Sequence, residues 1–385
     1  MGTILASTMY GRLKSHPVMK KSFVHRTSSL RTFFDSHALW VSMLIGAFGY
    51  KLFLPLAPTL PWLIFFMLFF TFCKVNPLDL RLHKWHWAVL AAQLFLSFAT
   101  YAGVMYLTHN KILAQGLLMC FIMPTATAAP IIAGKLGGSI QNLTAFTLLS
   151  NFATAIIVPA TFPLISNNLE LSTLELLSTF NFQLSTFLPA FLLILSRIAP
   201  LLLGPFFAAW LLRLGFNAYY RRKYASLPCG EGKGGVPEFV LPEKLALIPF
   251  YLWVASIIVL MAVVTKTVLS SFDLYLSTIL TLLICSFFAC LIQFSLGKLI
   301  GYYLPAASKG KDYQDVLINP AAAPTTMAGV SSITAGQAFG QKNTSLGVWM
   351  ANTYLDPMAS LGAAAYIIWQ NIFNSAQLTI AAHKK

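Results

Sequence analysis

The sequence predicts an all-α membrane protein with about ten transmembrane helices. Of its 385 residues, 57% are hydrophobic and only 10% are charged, whereas a soluble domain carries about 25% charged residues. Apolar runs long enough to cross a bilayer alternate with shorter polar segments along most of the chain. An aromatic content of 14% suits helix surfaces that face lipid and the membrane interface. The lipid bilayer is therefore the first partner that we expect.

The predicted spans follow a polar and basic N-terminal segment. Residues 1–37 lack the apolar core and cleavage site of a signal peptide, so we expect a cytoplasmic tail. The transmembrane domain then covers residues 38–381. Its predicted spans are the apolar runs 38–56, 60–75, 86–107, 113–133, 142–165, 183–214, 244–267, 274–305, 329–353 and 357–381.

The charges between the predicted spans are distributed unevenly. The predicted cytoplasmic loop 215–243 carries the cluster 221–223 of two arginines and a lysine, and other basic residues lie on the same side. The opposite side carries the acids Glu170, Glu175, Asp273 and Asp356. By the positive-inside rule, we expect both termini to be cytoplasmic. The membrane that we expect is a bacterial inner (plasma) membrane. The net charge of +15 therefore reports topology, and we expect no nucleic-acid partner.

Two predicted spans contain helix-breaking residues in their middle. Residues 123–130 of the fourth span include two prolines and two threonines, and residues 335–344 of the ninth include two glycines and a lysine. Each proline removes a backbone donor and disturbs the preceding turn. Unwound backbone is tolerated at this depth only where it is buried in protein or lines a cavity. A kink that only shapes packing is the alternative.

The fourth and ninth spans are equivalent members of two five-helix halves, at about 38–165 and about 183–381. Because five is odd, the second half is inverted relative to the first. Interrupted helices at matching positions of inverted repeats indicate the midplane site of a secondary transporter. The residues that flank the breaks are the predicted substrate contacts, namely Thr125, Thr127, Asn343 and Thr344.

Several motifs resemble the bile acid:sodium symporter superfamily. Met123-Pro124 and the following residues are similar to its crossing-helix pattern, and Gly340–Gly347 resembles its glycine-x-x-asparagine-x-x-leucine signature. Residues 366–372 are similar to its last helix, and Gln93 stands where its third helix has a glutamine. The chain thus resembles a divergent, bacterial-type member. The resemblance implies a four-helix panel and a six-helix core, with the fourth and ninth helices crossing at their breaks.

The resemblance also implies substrate between panel and core, and two sodium ions behind the crossing. The chain departs from the family at most positions that would hold sodium. A serine–asparagine pair is replaced by Ala-Pro at 129–130, a serine by Leu143, and a glutamate by Ala338. Thr147 is retained, and Gln337 lies beside the lost glutamate. Sodium coupling is therefore uncertain from the residues themselves.

Lys342 replaces a family glutamine inside the ninth-span break. A charge within the membrane is costly and usually functional. The family's geometry directs its ammonium at Gln93, and we expect a coupling-cation site made of Gln93, Thr147, Gln337 and Lys342. Lys342 would replace a coupling ion and make transport sodium-independent. Proton coupling through Lys342 is a variant, and a lysine that reaches the interface is the alternative.

Arg197 is a second cation in a predicted span, and its planar fork suits a carboxylate or sulfate. It binds substrate if it faces a cavity, and otherwise it reaches the interface.

An enzyme would need converging catalytic groups or a metal cluster. The seven histidines lie in tails, loops or helix ends, and the five cysteines show no metal-type spacing. We expect neither an enzyme nor a cofactor.

The function predicted by these observations is secondary transport of small organic anions of sterol-like or carboxylate type. A sodium-coupled bile-acid-type symporter is one alternative. A non-transporting membrane receptor on the same fold is the other, because the family's ion ligands are largely replaced.

Overall fold

A computed structural model of the protein describes residues 40–73, 80–166, 184–224, 245, 248–306 and 326–383. Every secondary-structure element in these ranges is a helix, apart from one isolated antiparallel bridge between Thr125 and Lys342. The protein is therefore all-helical over the part of the chain that the structure describes. Some predicted features lie outside the described residues, namely the tail 1–37, Glu170, Glu175 and residues 225–243 of the predicted loop.

Twelve α-helices follow one another along the described chain. The first group is α1 (residues 40–48), α2 (Tyr50–Phe53), a 3₁₀ turn (Leu54–Thr59) and α3 (Leu60–Phe72). The next is α4 (Lys84–Thr108), α5 (Lys111–Ile122), α6 (Ala129–Lys135) and α7 (Ile140–Ile165). The last is α8 (Leu184–Tyr224), α9 (Ile248–Tyr303), α10 (Met327–Gly340), α11 (Thr344–Tyr354), a 3₁₀ turn (Pro357–Ala359) and α12 (Ser360–His383).

Six helical segments of the described chain are long and apolar enough to cross a membrane. They are Tyr50–Phe72, Lys84–Thr108, Ile140–Ile165, Phe187–Tyr219, Ile248–Ser270 and Leu276–Tyr303. Large apolar side chains are exposed along them, for example Phe95 and Leu269. These surfaces are suited to lipid, so the chain is an integral membrane protein.

Three predicted boundaries differ from the helices of the structure. Tyr50–Phe72 forms a single candidate span, although the sequence divided it between the first two spans. The α8 helix continues to Tyr224 through residues 215–224, which were predicted as loop. Residues 268–273 are helical instead of a loop, because they contain neither glycine nor proline to end the helix. The loops at 215–224 and 268–273 were predicted from polarity alone, but polar side chains are compatible with a helix.

The chain nevertheless reverses direction within α9. The Ser256 hydroxyl lies 3.5 Å from the Ser345 hydroxyl, and the Gln293 amide donates to the Cys120 carbonyl at 3.1 Å. Ser345 and Cys120 both lie within a few residues of the Thr125–Lys342 bridge. A straight helix would separate Ser256 from Gln293 by about 55 Å at 1.5 Å per residue. The α9 helix therefore consists of two segments that both pass close to the Thr125–Lys342 bridge, namely Ile248–Ser270 and Leu276–Tyr303.

The short helices α5, α10 and α11 are enclosed by other helices. All residues of α5 from Leu113 to Ile122 are buried. Gly297 and Gly301 of α9 lie so close to the α10 backbone that an added Cβ would meet its carbonyl groups. Small residues allow helix backbones to approach closely in membranes. The interrupted segments therefore lie in the protein interior.

Candidate functional site

The two interrupted helices meet at their breaks. The predicted fourth span is divided into α5, which ends at Ile122, and α6, which begins at Ala129. The predicted ninth span is divided into α10, which ends at Gly340, and α11, which begins at Thr344. The prediction that both spans are interrupted is therefore confirmed. We call the two breaks, residues 123–128 and 341–343, the crossing.

Backbone hydrogen bonds join the two segments of the crossing. The Ala126 N–H donates to the Gln341 carbonyl at 3.0 Å, and the Asn343 N–H donates to the Pro124 carbonyl at 2.7 Å. They flank the isolated bridge in the manner of a very short antiparallel ladder. Each break therefore satisfies part of the backbone that the other exposes.

Glutamine side chains cap the carbonyl groups at the end of α5. The Gln93 Nε2 group donates to the Met123 carbonyl at 3.1 Å. The Gln293 Nε2 group donates to the Cys120 carbonyl at 3.1 Å. The last carbonyls of a helix lack partners within that helix, and an unsatisfied group in the membrane costs several kcal/mol. These two glutamines therefore stabilise the first break.

Hydroxyl groups cap the end of α10 in the same way. The Thr125 hydroxyl donates to the Ala338 carbonyl at 2.7 Å, and the buried Tyr366 hydroxyl donates to the Gly340 carbonyl at 2.8 Å. Thr125 is fully buried, and its hydroxyl supports the structure of the crossing through this bond, so its role as a substrate contact stays a prediction.

We expect Tyr366→Phe to lower the stability of the protein by about 1–3 kcal/mol, because the Gly340 carbonyl would lose its partner in a buried place. The midpoint of thermal unfolding in detergent measures this change. Tyr302→Phe, at an exposed tyrosine, is the matched control. Equal midpoints for the two variants would show that the Tyr366 hydroxyl does not support the crossing.

Lys342 carries a buried amine at the centre of the crossing. The residue is 1% exposed, so the alternative of a lysine reaching the interface is wrong. Its Nζ atom has no hydrogen-bond partner in the described part of the chain. It lies 5.0 Å from the centroid of the Phe339 ring. A cation over an aromatic face gains modest stabilisation, which does not offset the loss of water.

The predicted coupling-cation residues are all buried, but they do not bond to one another. No hydrogen bond joins Gln93 to Lys342, so that expected contact is not formed. The Thr147 hydroxyl donates to the Leu143 carbonyl of its own helix at 3.0 Å. Gln337 bonds to other glutamines instead. The four residues therefore surround the crossing without forming a shared ligand shell.

Asn343 and Thr344 begin α11. The Asn343 Oδ1 atom accepts from the Leu346 N–H at 3.3 Å and caps the helix, whereas its Nδ2 group has no partner among the described residues. Thr344 is buried, and Thr127 is half-buried in the turn before α6. The buried Asn151 side chain also leaves both polar atoms unpaired within the described chain. Such atoms are available to a ligand or to water.

Arg197 lies at the other end of α11. The sequence placed it in the membrane as a buried cation, but its side chain is exposed on α8. Its guanidinium interacts with the hydroxyl of Tyr354, the last residue of α11. Arg197 therefore does not contact the crossing. It lies at the place where α8 faces the C-terminal end of α11.

Several residues of the site were not predicted. Gln293 and Lys298 are polar interruptions of the run 274–305, a signal that the sequence contained. The Tyr366 cap, and the Gln370 Oε1 atom that accepts from the Lys342 N–H, depend on which face of α12 meets the crossing, and apolar runs do not show this. No family model matches the chain, and no curated protein matches it either.

Proposed function

We propose that this protein is a secondary transporter of small organic anions with a fold like that of the bile acid:sodium symporters. The observation that carries the proposal is the crossing of two interrupted helices, joined by backbone hydrogen bonds, around a buried lysine whose amine has no partner among the described residues. Interrupted helices that meet in the membrane interior are how many secondary transporters build their sites.

The proposed topology has ten spans in two inverted halves. In the first half, the chain would divide at the 3₁₀ turn Leu54–Thr59 inside the candidate span Tyr50–Phe72, so that α1 and α2 form one span, followed by α3, α4, the pair α5 and α6, and α7. In the second half, α8 is followed by the two segments of α9, the pair α10 and α11, and α12. The reversal within α9 supports this count, because it converts one continuous helix into two spans.

Substrate would lie along α11, between this helix and α8. The N-terminus of α11 offers the Asn343 Nδ2 group, which has no partner within the described chain, and its C-terminus lies beside the exposed Arg197. Helix N-termini favour negative charge, and an arginine fork matches a carboxylate or sulfate. Thr344 and Thr127 remain predicted substrate contacts. Donors at both ends of one helix suit an elongated anion.

Lys342 would act as a built-in cation in place of a coupling ion. The helices α5 and α10 both end at the crossing, so the negative ends of two helix dipoles lie near its amine. The side-chain oxygens of the family's sodium sites are missing at four positions of this chain, namely 129–130, Leu143 and Ala338. A resident ammonium fits this arrangement better than a hard cation that needs several oxygen ligands.

We expect proteoliposomes to accumulate organic anions equally well with and without a sodium gradient. Uptake of a radiolabelled series of sterol acids and short carboxylates, with choline replacing sodium in the control, measures this. Strong sodium dependence would support the sodium-coupled alternative and contradict the role of Lys342. Saturable binding without uptake would support the receptor alternative.

A further inference from the structure

A strip of amide side chains runs between α10 and α12, beginning at the crossing. Residues four or seven apart lie on one face of a helix. The amides on the α10 side are four residues apart, and those on α12 are spaced by four and by seven residues from the first of them. The strip, called the amide strip below, consists of Gln337 and Gln341 on one side and Gln370, Asn374 and Gln377 on the other.

The amides are connected to one another and to the crossing. Gln341 donates to the Gln337 side chain, and Gln337 donates to Gln377 at 3.2 Å. The Lys342 N–H donates to the Gln370 Oε1 atom at 2.9 Å. Gln370 is 8% exposed, whereas Gln377 is half-buried. The strip therefore leads from the buried crossing to the protein surface near the end of α12.

One buried amide of the strip is incompletely paired. Asn374 is 5% exposed, and its Oδ1 atom has no partner in the described part of the chain. Polar side chains often bond between membrane helices for packing alone. An unpaired acceptor within such a row is instead typical of a position that hydrogen-bonds to water.

A lysine lies beside the outer part of the strip. The stem of Lys298, on α9, covers Gly336, where an added Cβ would lie 2.6 Å from the lysine Cγ atom. Gly336 directly precedes Gln337. Neither α10 nor α12 contains an aspartate or glutamate. The charged side chains described along the strip, Lys298 and Lys342, are therefore both basic.

We propose that the amide strip is a hydrated path, selective for small anions, that connects the crossing with the membrane face at which α12 ends. Its amides supply hydrogen bonds for water, and Lys298 raises the local concentration of anions. Use of this path by a transported anion rests on the proposed function, whereas its hydration and charge preference do not.

Cysteine modification tests the path without a substrate. The full chain carrying Asn374→Cys, in proteoliposomes, is treated with an anionic (sulfonatoethyl) or a cationic (trimethylammonioethyl) methanethiosulfonate, and intact mass counts the adducts. Asn374→Cys should react at least about tenfold faster than Ile372→Cys, which faces outward, because a thiolate forms only in water. Wild-type protein provides the background of its five cysteines.

The anionic reagent should be favoured about fivefold, after correction for its reactivity with a free thiol, and Lys298→Met should remove this preference. Gln377→Trp should block modification at position 374. Modification of Asn374→Cys no faster than that of Ile372→Cys would overturn the hydration, and equal rates for both reagents would overturn the anion preference. If Asn374→Cys does not fold, the charge preference is measured on Gln377→Cys, with and without Lys298→Met. Equal rates for the two reagents at Gln377→Cys would then overturn the proposal.

Discussion

Replacing Lys342 with methionine is expected to abolish anion uptake and, at the same time, to stabilise the protein by about 1–4 kcal/mol. Methionine has a similar volume and needs no hydrogen bonds. The lysine amine is fully buried and unpaired within the described chain, so its removal from water is uncompensated. Sites that cost stability are retained where function requires them. Uptake into proteoliposomes and the thermal unfolding midpoint in detergent measure the two effects.

Lys135→Met is the matched control, because Lys135 is an exposed lysine on α6, close to the same break. It should change neither uptake nor the unfolding midpoint by much. A Lys342→Met variant that unfolds earlier than wild type would mean that the amine stabilises the crossing. A stabilised variant with normal uptake would mean that Lys342 has no part in transport.

Gly362→Ala is expected to destabilise the protein by about 1–3 kcal/mol or more, because α5 and α12 approach each other through their backbones at this point. An added Cβ at Gly362 would overlap the carbonyl group of Gly116. The Cys120 thiol also donates to the Gly362 carbonyl at 3.4 Å. Separation of the two helices would displace the Tyr366 cap, so uptake should fall as well.

Gly103→Ala provides the contrast for this variant, because an added Cβ there meets nothing within 4 Å. It should stabilise α4 by up to about 1 kcal/mol through helix propensity. The unfolding midpoints of both variants are compared in the same detergent. If Gly362→Ala were as stable as Gly103→Ala, close backbone contact between α5 and α12 would not be required.

The caps and the proposed transport role are physically connected. Unwound backbone at the crossing is held by Gln93, Gln293 and Tyr366 from three different helices. The backbone groups of such a site are held in place by these bonds, whereas the Lys342 Nζ atom and the Asn343 Nδ2 group have no hydrogen-bond partner among the described residues. In the proposed transporter, other helices would then move against this crossing, and the crossing itself would keep its structure.

The sequence alone determined the membrane class and the positions of the two breaks. Apolar runs report burial or lipid contact whatever their neighbours are, and prolines such as Pro124 prevent a regular helix locally. The helices at Lys84–Thr108 and Ile140–Ile165 match their predicted runs within a few residues for this reason. Polarity was less reliable, as the helical residues 215–224 demonstrate.

Only the tertiary structure decided how the polar residues inside the membrane are used. The sequence selected Lys342 because any charge in a span is costly, and its burial agrees. It could not direct the amine to Phe339 instead of Gln93, or assign the amide strip, because these contacts depend on which helix faces meet. Apolar periodicity does not encode such pairings when every face of a helix contacts either lipid or protein.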